Sequence, residues 1–134
     1  YNNWIKVIES ILLKDQDINI ILVGSSNAVD IANLIMDRFI ELNIYNFVSK
    51  FTFNQTSEVI SKSRVLFCCD GGLMHAANSV NTPIIALFAR LSPEMQLTES
   101  ICAFSLYDDQ DVNNISVAEV IRKYEKFKLF SFPV

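Results

Sequence analysis

Residues 65–93 read VLFCCDGGLMHAANSVNTPIIALFARLSP, and this stretch decides the fold. Val65 to Cys69 is a short apolar run, the pattern of a strand covered on both faces. Asp70-Gly71-Gly72 then breaks the chain. Two glycines permit a tight turn and let a ligand approach the backbone closely. Leu73 to Ser79 predicts a helix of about two turns, with His75 near its start. The first N–H groups of such a helix have no partner inside it and carry partial positive charge, which favours an anion such as a phosphate. Pro83 opens a second apolar run, Ile84 to Phe88, and proline is tolerated at a strand's first residue. Ligands of parallel sheets sit beyond the carboxyl ends of the strands. Asp70 and Ala89 to Ser92 fall at those ends.

The rest of the chain repeats the alternation. Trp4, Val7, Ile8, Ile11 and Leu12 have the spacing of an amphipathic helix, which Asp15-Gln16-Asp17 ends. Ile18 to Val23 reads as a buried strand. Gly24-Ser25-Ser26-Asn27 is a strand-to-helix turn, either plain punctuation or a turn that caps the next helix or touches a ligand. Ile31, Leu34, Ile35, Phe39 and Leu42 predict the apolar stripe of a second helix, and Tyr45 to Val48 a short strand. Thr52 and Gln55 have capping-box spacing, so a third helix is expected from Phe53 to about Lys62. The segment from residue 94 to Ser100 has no period and reads as a loop; Ile101 to Leu106 reads as a last strand. Asp108, Asp109 and Asp111 make a polar loop. Ser116 and Glu119 form another capping box, before a helix lined by Val117, Val120, Ile121 and Tyr124. Strands alternating with helices predict one α/β domain, a Rossmann-like parallel sheet with helices on both faces.

Composition limits the function classes. The chain has 134 residues, 51% of them hydrophobic and 19% charged, enough for one globular domain. A formal net charge of −4 argues against nucleic acid as a partner. No apolar run approaches the ~20 residues that span a bilayer. Cys68 and Cys69 are strand neighbours that point to opposite faces, and with Cys102 they read as reduced cysteines of a cytoplasmic protein. A single histidine makes a zinc site unexpected, so no metal is predicted. The chain begins at Tyr1, and we expect it to be part of a longer protein.

The 65–93 stretch resembles the C-terminal, donor-binding domain of glycosyltransferase family 9, the heptosyltransferases of lipopolysaccharide assembly. That family carries Asp-(Ser/Thr)-Gly-x-x-His-x-Ala, then Thr-Pro before a strand ending Leu-Phe-Gly-Pro-Thr-x-Pro. Asp70, Gly72, His75, Ala77, Thr82, Pro83, Leu87, Phe88 and Pro93 stand at matching positions. Gly71 replaces the Ser or Thr, Ala89 the glycine and Leu91 the threonine. The resemblance implies the C-terminal half of a GT-B fold, two Rossmann-like domains facing each other across a cleft. It further implies a nucleotide-sugar donor, ADP-heptose in the family, transferred with inversion and without a metal to a lipopolysaccharide core acceptor. The family's general base lies in the N-terminal domain, so no catalytic residue is expected in this chain. An enzyme of this kind would be cytoplasmic or peripheral to the inner membrane.

The donor-binding candidates are Asp70, Gly71, Gly72, Leu73 and His75, with Gly24, Ser25, Thr52 and Asp30. Asp70 serves as a helix N-cap, a ligand contact, or both. The backbone N–H groups of Gly71 and Gly72 suit a phosphate. The histidine matching His75 faces the donor's pyrophosphate or sugar in the family. Thr52-Phe53 takes the place of a family Ser-Leu pair at the turn bordering the nucleotide. Asp30 lies where the family sets an acidic residue against the ribose, and equally where a helix dipole favours aspartate. Near the end, Lys123, Lys126 and Lys128 intersperse with Phe127, Leu129, Phe130 and Phe132. This is either a membrane-surface patch or a segment that packs on a second domain, and we expect the tail from Phe127 to Val134 to be disordered or paired with another copy. A degenerate, non-catalytic binding or structural module is the alternative function, and the three departures are its support. A phospho-acceptor signalling domain lacks support, since no acidic pair follows the first strand.

Overall fold

The computed structural model describes residues 1–40, 42–69, 71–89 and 103–131. Helices and strands alternate: α1 (Trp4–Lys14), β1 (Ile20–Leu22), α2 (Val29–Arg38), β2 (Ile44–Asn46), α3 (Phe53–Ser61), β3 (Leu66–Cys69), α4 (Gly72–Ser79), β4 (Ile84–Ala89), β5 (Ala103–Asp108) and α5 (Val117–Ser131). Every described ladder is parallel: β1 with β2, β3 with β4, β4 with β5. The α/β class is as predicted. The two runs of the 65–93 stretch are neighbours, in register from Leu66↔Ile84 to Cys69↔Leu87. Residues 94–100, read as a loop, lie outside the described residues, as do Asp70 and Cys102.

The period of two along β3 and β4 sorts side chains onto two cores. Leu66 and Cys68 of β3 and Ile84, Ala86 and Phe88 of β4 meet Ile60 of α3 and Met74, Ala76 and Ala77 of α4. Ile85 and Leu87 point the other way, with Phe67 and Cys69, onto Val7 and Ile11 of α1 and Val120 and Phe127 of α5. Both faces of β4 are covered, which is why its run is apolar without alternation. Cys68 and Cys69 therefore lie on opposite faces, as their adjacency requires. An aromatic string ties the second face together. Tyr1 meets Trp4 edge-on at 5.0 Å, Trp4 meets Phe67 at 6.4 Å, and Phe67 meets Tyr124 at 5.5 Å.

Instead of one sheet, the described strands form two, β1–β2 and β3–β4–β5. The ladder of β1 is three residues long and engages β2 alone. Its other edge faces β3 across a cavity of about 1250 Å³, with Ile20 to Val23 on one wall and Val65 to Phe67 on the other. Helix α1 bridges the gap. Val7 and Ile11 join the larger sheet's core, while Ile8 and Leu12 pack with Ile35, Phe39 and Ile44 beside the smaller. The smaller sheet is covered on that face; Ile21 and Tyr45, paired in register, point away and are exposed by 39% and 47%.

Two further expectations need correction. Helix α2 ends at Arg38, so Leu42 lies beyond it, and Leu34 is on its exposed side; Ala32 and Ile35 are its buried residues. The tail is not loose at Phe127. Helix α5 continues through it, and the Phe127 ring is 1% exposed, edge-on to Phe104 at 6.2 Å. Residues 132–134 lie outside the described residues.

Thr82 also acquires a reason. Asn81 sits at φ 60, the left-handed turn that closes α4, with Thr82 N–H bonded to Ala77 O at 2.9 Å and Asn81 N–H to Asn78 O at 3.3 Å. The buried Thr82 hydroxyl then donates to Ile60 O at 2.7 Å and ties this turn to the end of α3. Thr82→Val keeps the shape and removes that bond, while Ile60 O still accepts from Ser63 N–H at 3.0 Å. It is expected to cost about 0.5–1.5 kcal/mol in a thermal or urea unfolding measurement.

Candidate functional site

The carboxyl ends of the strands are joined by contacts between their turns. Phe47 N–H donates to Leu22 O at 2.9 Å, and Ser49 N–H to Gly24 O at 2.8 Å. These bonds fasten the end of β2 to the end of β1. Ser49 stands at φ 62 to make the turn, and the Lys50 ammonium donates to Asn46 O at 2.9 Å across it. Helix α3 starts directly afterwards. Thr52 Oγ1 accepts from Gln55 N–H at 3.2 Å and Gln55 Oε1 accepts from Thr52 N–H at 2.9 Å, the reciprocal box expected from the sequence. The Phe53 ring reaches Gly72: its Cε2 lies 3.9 Å from the point a Cβ on Gly72 would occupy. One continuous chain of contacts thus runs from Gly24 through Ser49, Thr52 and Phe53 to Gly72.

Gly24 and Gly71 both need to be glycine, for different reasons. Gly24 adopts φ +154, and a Cβ there would lie 3.2 Å from the Ala28 Cβ. Gly71 adopts φ +155 with nothing within 4 Å of a Cβ, so its backbone alone makes the demand. A serine or threonine at position 71 would be strained in this conformation by about 1–3 kcal/mol. Gly71 is the N-cap residue of α4 and supplies no side-chain bond to the helix's first N–H groups.

The predicted residues fall as follows. Gly71, Gly72 and His75 are exposed, and Leu73 is half-buried against the core beneath α4. Ser25 is exposed; its hydroxyl donates to Asn27 Oδ1 at 2.6 Å and caps no helix. Thr52 is exposed and serves as a cap. Asp30 is exposed in the first turn of α2, where the helix dipole favours a carboxylate. Asp70 lies outside the described residues. Of the described candidates, Leu73 lines the cavity between the sheets, whose walls are mainly core side chains such as Val7, Ile11, Ile20 and Leu66. That cavity is core space, and the other described donor candidates do not line it.

Two residues carry more than the sequence reading gave them. Phe53 is 60% exposed although large and aromatic. Asp108, read as part of a polar loop, ends β5, and its carboxylate accepts from Gln110 N–H, Asp111 N–H and Asn114 Nδ2 at 2.9, 3.0 and 3.2 Å. The Asp111 N–H, then that of Gln110, holds its carboxyl below the usual carboxylate value. Asp108 therefore organises the turn after β5. Among the described residues no three His, Cys, Asp or Glu side chains gather as a metal site, and no helix is long and apolar enough to cross a membrane.

Comparison with known proteins agrees with this architecture. In solved structures the fold is similar to that of the ADP-heptose lps heptosyltransferase II of E. coli, with 21% identity and a TM-score of 0.78. It is also similar to a family 9 glycosyl transferase from Veillonella parvula, with 16% identity and a TM-score of 0.82. Each alignment covers 96% of this chain and 41% of the other, so the chain spans less than half the length of either. No curated protein matches it. The model of glycosyltransferase family 9 (heptosyltransferase) matches residues 1–121, and the chain belongs to that family.

Proposed function

We propose that this chain is the donor-binding half of a two-domain GT-B transferase that moves heptose from ADP-heptose to a lipopolysaccharide core acceptor. The observation that carries the reading is the turn at Gly71 and Gly72. It opens α4 with a glycine N-cap, Gly71, that brings no side-chain bond, at the carboxyl end of β3, with His75 exposed one turn on. In this reading the backbone N–H groups of Gly72 and Leu73 hold a donor phosphate and His75 reaches its oxygens. Ser25, Thr52 and Asp30 complete the donor side, together with Asp70. The acceptor and the general base belong to the partner domain, transfer proceeds with inversion and without a metal, and the enzyme works in the cytoplasm, peripheral to the inner membrane. Membership of family 9 supports the reaction class; similarity to the E. coli ADP-heptose lps heptosyltransferase II supports the donor.

The experiment is calorimetric titration with ADP and with ADP-heptose. His75→Ala is expected to weaken binding by about tenfold or more, the worth of one hydrogen bond to a charged group. It should leave the thermal midpoint in place, because His75 is exposed on a helix that alanine favours. One observation favours the alternative, a non-catalytic module: Gly71 offers no hydroxyl where the family has one. Absence of any ADP binding by the unaltered chain would select that alternative.

A further inference from the structure

Phe53 is the feature that neither the core nor the capping of α3 explains. Its neighbour Thr52 does the capping, and the buried residues of α3 are Thr56 and Ile60. A phenylalanine left 60% exposed forgoes most of its burial energy. Its surroundings are stiff. Thr52 is locked by the two capping bonds, and the preceding turn is bonded to both β1 and β2. That turn carries a second aromatic element: Phe47 and Phe51 stack with centroids 4.8 Å apart and planes 26° apart. On its other side the Phe53 ring borders Gly72, which has no side chain to cover it. A rigid, half-bare ring beside a glycine turn is a stacking platform for a flat ligand group.

We propose that Phe53 is a specificity-determining residue whose ring stacks on the aromatic base of a nucleoside diphosphate held at the Gly71–Gly72 turn. The inference rests on the donor-binding reading and adds the contact that selects a nucleotide over a bare sugar phosphate or pyrophosphate. Stacking needs a flat π-face and not merely apolar bulk, so leucine is a poor substitute and tyrosine or tryptophan a good one.

The test titrates the chain and its Phe53→Ala, Phe53→Leu and Phe53→Trp variants with ADP, with ribose 5-phosphate and with inorganic pyrophosphate. Phe53→Ala and Phe53→Leu are expected to raise the Kd for ADP about tenfold, while Phe53→Trp holds or tightens it. Binding of the two baseless probes should be the same in all four proteins. If unaltered chain binds ADP and the alanine and leucine variants bind it equally well, the stacking role is overturned while the donor reading stands. If loss is equal for ADP and ribose 5-phosphate, the ring touches the sugar and the proposal for the base is overturned. If the unaltered chain binds no ADP, both fail together. Circular dichroism of each variant checks the fold, which loss of an exposed ring should leave intact.

Discussion

Phe127→Ala is expected to lower the unfolding free energy by about 3–5 kcal/mol, the range for removing a fully buried aromatic ring. The ring is 1% exposed and packs with Val7, Ile11, Ile85, Leu87 and Val120, so it touches α1, the central strand and its own helix at once. It also lies 6.2 Å from Tyr124 at 25°, near the end of the aromatic string that begins at Tyr1. The space left by a buried ring adds a cavity term to the lost transfer energy. Domains of this size are stable by about 5–15 kcal/mol, so the loss is a large fraction of the total. The control is Leu129→Ala, two residues on in the same helix. Leu129 is 79% exposed, and its removal should change stability by less than about 0.5 kcal/mol. Urea unfolding of both variants measures the contrast. Similar small effects would mean that α5 does not dock on the β3–β4–β5 sheet as described.

That contrast also shows what the sequence discloses. The segment from Val65 to Phe88 is readable because local rules decide it. Residues of one strand alternate between cores, glycines make the turn, and Pro83 precedes a strand where no N–H is needed. The capping boxes at Thr52–Gln55 and Ser116–Glu119 are equally local, since both hydrogen bonds close within three residues. Phe127 was legible too, three residues after Tyr124 on the same stripe. The interspersed lysines hide it, because long basic side chains of a helix lie along its margins; Lys14 pairs with Glu125, and Lys128 sits over the Tyr124 ring. The division into two sheets has no local signature. Whether β1 bonds to β3 depends on how α1, α3 and α5 pack around their edges, and these come from distant parts of the chain. Asp70, the residue on which the sequence reading leaned most, lies outside the described residues, so the candidate site rests on its glycine turn, His75 and the Thr52–Phe53 corner.

The largest functional effect expected is the absence of sugar transfer by these 134 residues acting alone. Transfer requires the donor's anomeric carbon, an acceptor hydroxyl and a base to be held in one geometry, and such positioning supplies about 7–11 kcal/mol of the barrier reduction. The base itself adds about 10²–10⁴-fold. What this chain offers at its strand ends suits a phosphate instead: the first N–H groups of α4, to which Gly71 brings no side-chain cap, an exposed imidazole, and the hydroxyls of Ser25 and Thr52. In the proposed reading these groups hold the donor diphosphate, and the acceptor seat and the base belong to the other domain. The chain spans 41% of the length of each solved relative, which leaves room in such proteins for a second domain to supply both. The measurement incubates the chain with ADP-heptose and a lipopolysaccharide core acceptor and follows the product by mass spectrometry, with ADP binding measured in parallel. Binding without product is the expected pair of results. Product formed by these residues alone would show that an acceptor seat and a base lie within this half, and would overturn the division of labour proposed here.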